Sequence, residues 1–298
     1  SSRSAAWAEA APIGRPHLYP PVVHLFLTML LGLGVPPIAA LRILTAAIVP
    51  AVLLTIYVTA GRLSASQAPA DGPDLSWGSL MACLAPFTWL LQIGEALASG
   101  LALIELLWLL VAVRERRWLA TSCLTALLWY THLGMPWIAL ATLGWAGVLK
   151  TIPEPRLTIR AVGWGTVAAV PWLVRIVSHA GSLRLAARDE NNVLELYPLL
   201  LLCAAFGVWR GWRTRDAVSR MLIALWMGSA VLAYPFLFRW LNGEGVVPLG
   251  LLAGYGVAGW VGRRTSPGAR RAKILALALG LMLAPSVVIT RQPSGGGT

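Results

Sequence analysis

The sequence predicts an all-α fold: a bundle of about 9–11 membrane segments forming a single transmembrane domain over residues 1–298. Three observations predict it. Apolar runs of spanning length, about 17–25 residues each, follow one another along the chain. The composition is 57% hydrophobic and 12% charged, with a mean hydropathy of +0.70, whereas a water-soluble domain carries about 25% charge. The breaks between apolar runs also alternate in charge, because loops that stay in the cytoplasm keep Lys and Arg while those on the other face carry no such bias.

Taken along the chain, the apolar segments are 18–35, 38–60, 79–93, 96–113, 118–133, 136–149, 157–178, 194–209, 217–238, 245–262 and 272–290. The short ones, 79–93 and 136–149, read as half-helices or tilted segments sheltered by neighbours. Setting Arg114-Glu115-Arg116-Arg117 inside orders everything after it. His132 to Pro136 falls outside, Lys150 to Arg160 inside, His179 to Asn192 outside and Arg210 to Arg220 inside. Arg239 to Glu244 then falls outside, Arg263 to Lys273 inside and Arg291 to Thr298 outside. The first third stays open. Either 18–35 crosses and puts His17 inside, or it does not cross, or 36–60 is interrupted at Pro36-Pro37 or Pro50. Ser64 to Ser76, with Pro69, Gly72 and Pro73, is a polar loop. No soluble domain or internal repeat is visible. The start, Ser1-Ser2-Arg3-Ser4, has neither an initiating Met nor a signal-peptide pattern, so the chain reads as a piece of a longer one.

The net charge of +12 sits in short loops beside apolar runs. That distribution points to topology and anionic lipid headgroups, not to nucleic acid. Cys83, Cys123 and Cys203 lie inside apolar runs without Cys-x-x-Cys or Cys/His metal spacing, so neither a disulfide framework nor a zinc site is indicated. No G-x-S-x-G, H-E-x-x-H, Walker or G-x-G-x-x-G element is convincing, and there is no outward Asp-x-Asp; Asp71 and Asp74 fall on the cytoplasmic side.

Chemistry is then expected from polar groups in or beside the apolar layer, where a central charge costs at least roughly 2.5–3.5 kcal/mol. Glu105, within Leu-Ile-Glu-Leu-Leu, is either a proton or ligand site or a hydrogen-bonded stitch between helices. Glu95 stands at the outer start of the same helix, as a dipole-stabilised cap or as a group orienting a hydroxyl or a metal. His132 sits between Trp129-Tyr130-Thr131 and Gly134-Met135-Pro136-Trp137, a sequence of either an aromatic belt or a broken helix end that builds a site. Arg239, before Trp240-Leu241-Asn242-Gly243-Glu244, is off-pattern for an outer loop. It either snorkels to headgroups or binds phosphate through its guanidinium. Arg184, Arg188, Asp189, Glu190 and Glu195 read as a solvated loop, and His17 and His24 flank Tyr19-Pro20-Pro21.

Three of these stretches together resemble the GT-C class of integral-membrane glycosyltransferases. The first is Arg15-Pro16-His17-Leu18-Tyr19-Pro20-Pro21-Val22-Val23-His24. The second runs from Gln92-Ile93-Gly94-Glu95 through Arg114–Arg117 to Tyr130-Thr131-His132, and the third from Phe238-Arg239 to Gly243-Glu244-Gly245 and Pro248. The likeness covers about residues 15–262 in short pieces. It implies transfer of a sugar from a polyprenyl-phosphate donor on the non-cytoplasmic face of a bacterial plasma membrane. A carboxylate base, often with a divalent metal (Mg or Mn), would serve an inverting mechanism. It also implies substrate-binding roles for Glu95, His132, Arg239, Glu244, His17, Tyr19 and His24. The class's catalytic carboxylate lies in a first outer loop upstream of the Tyr-Pro-Pro stretch, so no residue here takes that role. The implied partners are the lipid-linked sugar donor and membrane lipids, with no nucleic acid. The class would place Tyr19-Pro20-Pro21 outside, against the span count above. Two other readings stay open: a transporter or lipid flippase with a midplane site at Glu105, and a non-catalytic membrane assembly subunit.

Overall fold

The computed structural model describes residues 21–65, 72–84, 86, 89–90, 97–178, 193–232, 240, 243, 245–261, 269, 273, 276, 280 and 287–290. Among the described residues the fold is all-α apart from one short strand pair. In chain order the helices are α1 (Pro21–Gly32), α2 (Pro37–Ala65), α3 (Gly72–Leu84), α4 (Leu97–Arg114), α5 (Trp118–Thr131), α6 (Met135–Val148), α7 (Pro155–Ala168) and α8 (Val170–Ser178). After strand β1 (Val193–Leu196) come α9 (Pro198–Thr214), α10 (Ala217–Ser229), a 3₁₀ turn (Ala230–Leu232), α11 (Val246–Val261) and strand β2 (Val287–Thr290).

Local chemistry sets these boundaries. Pro155 and Pro198 open α7 and α9, where the missing N–H of proline has no intrahelical partner to lose. Three basic residues close helices in the left-handed conformation: Arg116 (φ 59°), Lys150 (φ 54°) and Arg215 (φ 52°). Behind the first, Arg117 N–H donates to Ala112 O at 2.8 Å and Arg116 N–H to Val113 O at 3.2 Å, a Schellman closure. Thr151 N–H to Ala146 O at 2.9 Å and Lys150 N–H to Gly147 O at 3.0 Å repeat it behind α6. Glycine is the usual occupant of such a position; a cation there instead meets the negative end of the helix dipole.

The segment expected as one span over 157–178 is two helices, α7 and α8, bent by 56° at Ala169. Pro171 explains the break, since its ring clashes with the carbonyl four residues back and it has no N–H to donate. The segment expected over 194–209 begins as extended chain and becomes helical only at Pro198, because a residue before proline avoids the helical region. β1 pairs antiparallel with β2, Val193 opposite Thr290 and Leu196 opposite Val287, so the end of the expected 272–290 segment is strand. Val287-Val288-Ile289-Thr290 is a β-branched run that suits this.

Two helices are buried nearly all round. α4 buries Leu103, Leu106, Leu107, Leu109 and Leu110 among α1, α2, α5 and α6, while α11 buries Val246, Val247, Leu251, Leu252 and Ala253 among α2, α3, α9 and α10. Glycines let α11 approach its neighbours at backbone distance. A Cβ on Gly78 would stand 2.9 Å from Gly254 O, one on Gly256 would stand 2.6 Å from Cys203 O, and one on Gly207 would collide with Leu252 O. Polar residues are inside: Thr59, Ser79, Thr131, Thr142 and Ser219 are fully buried. Large apolar residues are outside, with Leu25, Ile38, Ile159, Trp164, Leu202 and Trp260 between 65% and 71% exposed. Among the described residues Pro37–Ser64 is long and apolar enough to cross a membrane, and the bent α7–α8 pair is a second if counted as one span. Pro21–Gly32, Leu75–Leu84, Met135–Val148, Ala217–Ser229 and Val246–Trp260 are apolar but shorter.

The basic turns lie together at one end of the bundle. Arg62 at the end of α2 pairs with Glu115 at 3.4 Å, and Arg117 with the same carboxylate at 2.8 Å. Arg116 reaches Glu154 before α7 at 3.3 Å, and Arg220 donates to Leu149 O behind α6 at 3.0 Å. Arg210 donates to Tyr255 O at 2.7 Å and stacks over the Tyr255 ring at 4.4 Å, tying α9 to α11. At the α9–α10 turn, Asp216 caps α10 by accepting Ser219 N–H at 2.8 Å, and it also accepts the Thr214 hydroxyl at 2.6 Å and the Tyr255 hydroxyl. Burial alone would raise the Asp216 carboxyl, but these hydrogen bonds outweigh it and hold the group below its ordinary value of 3.8. Its contribution to stability is therefore present above the ordinary carboxylate range and is lost as pH falls through the lower folded value. Asp216→Ala is expected to cost about 1 kcal/mol at neutral pH, read as a lower thermal midpoint in detergent. The difference from the parent should shrink in strong acid; a midpoint equal to the parent's at neutral pH would refute the cap.

Candidate functional site

A polar cluster forms where α4 begins and α5 ends, at the opposite end from the basic turns. α5 runs from the basic turn at Arg117 to Thr131, so its two termini mark the two ends. His132, the C-cap of α5, has extended backbone (φ −153°, ψ 138°) and lies in the turn before α6. Its ring is half-buried, and Nδ1 accepts the backbone N–H of Gly134 at 2.9 Å and of Met135 at 3.1 Å. This is the geometry with which an Asx or Ser side chain caps a helix, here performed by imidazole on the first turn of α6. With Nδ1 occupied as an acceptor, the neutral ring carries its proton on Nε2, which stands 3.2 Å from Ser99 Oγ. The pair is therefore not set for a nucleophilic serine, which needs an unprotonated Nε2 as base. Instead the ring offers a fixed N–H donor.

One residue before it, Thr131 donates its hydroxyl to Glu105 Oε1 at 2.8 Å. Glu105 is 6% exposed, and its second oxygen, Oε2, is buried without a hydrogen-bond partner. Trp129 and Trp137 flank the turn edge to face, with centroids 5.3 Å apart and planes at 86°. Beside it is an apolar hollow of about 10 Å³, lined by Thr125, Trp129, Pro136 and Leu140 among others, which has room for a water and not for a sugar.

Of the residues expected to bind substrate, His132 and His24 fall among those described. His24 is on α1, which packs against α5 and α4, the helices that carry the cluster. Its carbonyl accepts the Thr28 hydroxyl at 2.7 Å. Glu95, Arg239, Glu244, His17 and Tyr19 lie outside the described residues, as do Arg184, Arg188, Asp189 and Glu190. Trp240, next to Arg239 in the chain, donates its indole N–H to Ser229 Oγ at 3.1 Å and stacks on Trp226, at the end of α10 remote from Asp216. α6 and α10 are antiparallel neighbours, Arg220 lying against the end of α6 and Gly228 against Thr142 midway along it, so the end of α10 that Trp240 meets points away from the basic turns.

The sequence does not single out Ser99; it offers Glu105 as a proton or ligand site or a helix stitch, apart from the substrate-binding set, and Thr131 only as the neighbour of His132. An isolated serine in Leu97-Ala98-Ser99-Gly100 and the pairing of Thr131 with His132 were the available signals. Among the described residues no three His, Cys, Asp or Glu side chains gather to hold a metal ion, so the Mg or Mn that the resemblance implies finds no ligand set there. Comparison of the chain with protein-family models, with curated proteins and with solved structures finds no match.

Proposed function

We propose that the chain is a polytopic membrane bundle of about 9–11 segments, acting as a GT-C-like glycosyltransferase on the non-cytoplasmic side of a plasma membrane. The single observation that carries this reading is the separation of chemistry along the bundle. The arginine turns interlock at one end, and Ser99, Thr131 and His132 gather at the other. Supporting the membrane part is a surface of large apolar side chains around a polar-containing, glycine-lined interior. The helices shorter than a bilayer would be matched by tilt and local thinning.

In this reading the anomeric carbon–oxygen bond of a polyprenyl-phosphate sugar breaks as the acceptor oxygen bonds to that carbon. The acceptor proton passes to a carboxylate base that no described residue supplies. Negative charge grows on the departing phosphate, and the Nε2–H of His132, its ring held in place, exchanges Ser99 Oγ for a phosphate oxygen. The donor is already oriented by the α6 N-terminus, so it need not reorganise as charge develops. Arg239 is assigned to the same phosphate by its guanidinium chemistry.

The test is transfer of labelled sugar from polyprenyl-phosphate donors by the purified full-length product in lipid vesicles, followed by mass spectrometry. Transfer is expected for the parent and lost in His132→Ala and Arg239→Ala, with membrane insertion intact. Full activity in both variants, or no transfer from any donor offered, would overturn the assignment.

A further inference from the structure

We infer that Glu105, held by Thr131 at the α4–α5 contact, is a buried proton-binding site that operates independently of the sugar-transfer reading. The argument starts from hydrogen-bond accounting. A glutamate that merely stitches two helices would use both oxygens, yet Oε1 takes the Thr131 hydroxyl at 2.8 Å while Oε2, within a residue 6% exposed, has no partner. Ionised, the group holds a charge in an apolar interior on one hydrogen bond; neutral, it holds a hydrogen that nothing receives. Neither state is satisfied alone, which is the condition for a group that exchanges its occupant.

Among the described residues no ion pair to Glu105 is formed. Among the described residues, α2 brings Arg42, Tyr57 and Arg62 against α4, and Arg62 is committed to Glu115 and to the Trp108 face at the basic end. α5 brings Cys123 and Tyr130, with Arg117 and His132 at its caps, and Tyr130 donates to Ala168 O at 3.2 Å. α6 brings no titratable side chain, α1 brings His24, and Arg114 lies at the far end of α4 itself.

The occupant is a proton and not a metal cation. A proton needs one oxygen, whereas hard cations collect about six or more, and no cluster of three ligating side chains exists among the described residues. Occupancy would be felt at the α5–α6 turn, because Thr131 is the last residue of α5 and His132, next in the chain, holds the first turn of α6. Proton uptake forms an O–H bond on the carboxyl and release returns the proton to water from that end, with no other bond changed.

Infrared difference spectroscopy of the full chain in lipid, titrated with pH, tests this. One carboxylic C=O band is expected to titrate in the parent, vanish in Glu105→Gln and move to higher frequency in Thr131→Val, which removes its hydrogen bond. Glutamine keeps the acceptor for Thr131, so the protein folds, and His132→Asn should leave the band present whatever it does to sugar transfer. Identical spectra for the parent and Glu105→Gln at every pH would overturn the inference. Loss of the band on adding sodium at constant pH would also overturn it, by making the occupant a metal ion.

Discussion

Gly254→Leu is expected to destroy the packing of α11, at a cost of about 3 kcal/mol or more. A Cβ there would stand 2.7 Å from the Gly78 carbonyl carbon and 2.6 Å from Ser79 Oγ, and would collide with Ser79 N. Two of those atoms are backbone and cannot rotate away. The whole of α3 would have to move off α11, taking with it the contact at Gly250, where a side chain would collide with Cys83 Sγ. The variant should leave the detergent extract as aggregate in size-exclusion chromatography. Gly144→Leu is the control, since a Cβ at Gly144 meets nothing within 4 Å, and replacing a helical glycine gains up to about 1 kcal/mol in propensity. Equal behaviour of the two variants would show that α3 and α11 do not meet along this stripe.

The second large effect is kinetic and falls on His132. Its ring does two things: Nδ1 caps α6 through Gly134 and Met135, and Nε2 presents a donor beside Ser99. His132→Asn separates them, because an amide oxygen accepts the same two N–H groups while the Nε2–H disappears. Loss of one preorganised donor to a developing oxyanion costs about 10²–10³ in kcat, so sugar transfer should fall by that factor in both His132→Asn and His132→Ala. Thermal stability should drop only in the alanine variant, by about 1 kcal/mol. An asparagine variant with parental kcat and an alanine variant that is merely unstable would reduce His132 to a helix cap.

The parts of this fold legible in the sequence are those punctuated by charge or by proline. α5 and α6, expected over 118–133 and 136–149, begin and end within a residue or two of Trp118–Thr131 and Met135–Val148. Arg114–Arg117, the Gly134–Pro136 turn and Lys150 are signals that an apolar run cannot continue through. The break between α7 and α8 was harder to see, because the apolar character of Val167-Ala168-Ala169-Val170 continues across it and only Pro171 marks it. The strand pair was invisible, since its partners are far apart in the chain and neither four-residue segment signals the other. The site shows the same division. His132 stands out in the sequence as the histidine of a turn expected on the outer face, but its capping of α6 depends on the φ and ψ of that turn, which residue types alone do not specify. Ser99 and Thr131 are small hydroxyls in helices rich in Leu and Ala, and only the crossing of α4 with α5 gives them partners. The glycines of α11 carry no chemistry by type; Gly254 acquires its meaning from the backbone it lies against.

All of the functional reading depends on which face of the membrane each end of the bundle meets. Single cysteines at Glu154 and at Leu133, in a chain with Cys83, Cys123 and Cys203 replaced, report it directly when intact cells are treated with a membrane-impermeant maleimide. Leu133→Cys should be labelled from outside, and Glu154→Cys only after the membrane is broken. Labelling of both from the same side, or of Glu154→Cys alone from outside, would contradict the account.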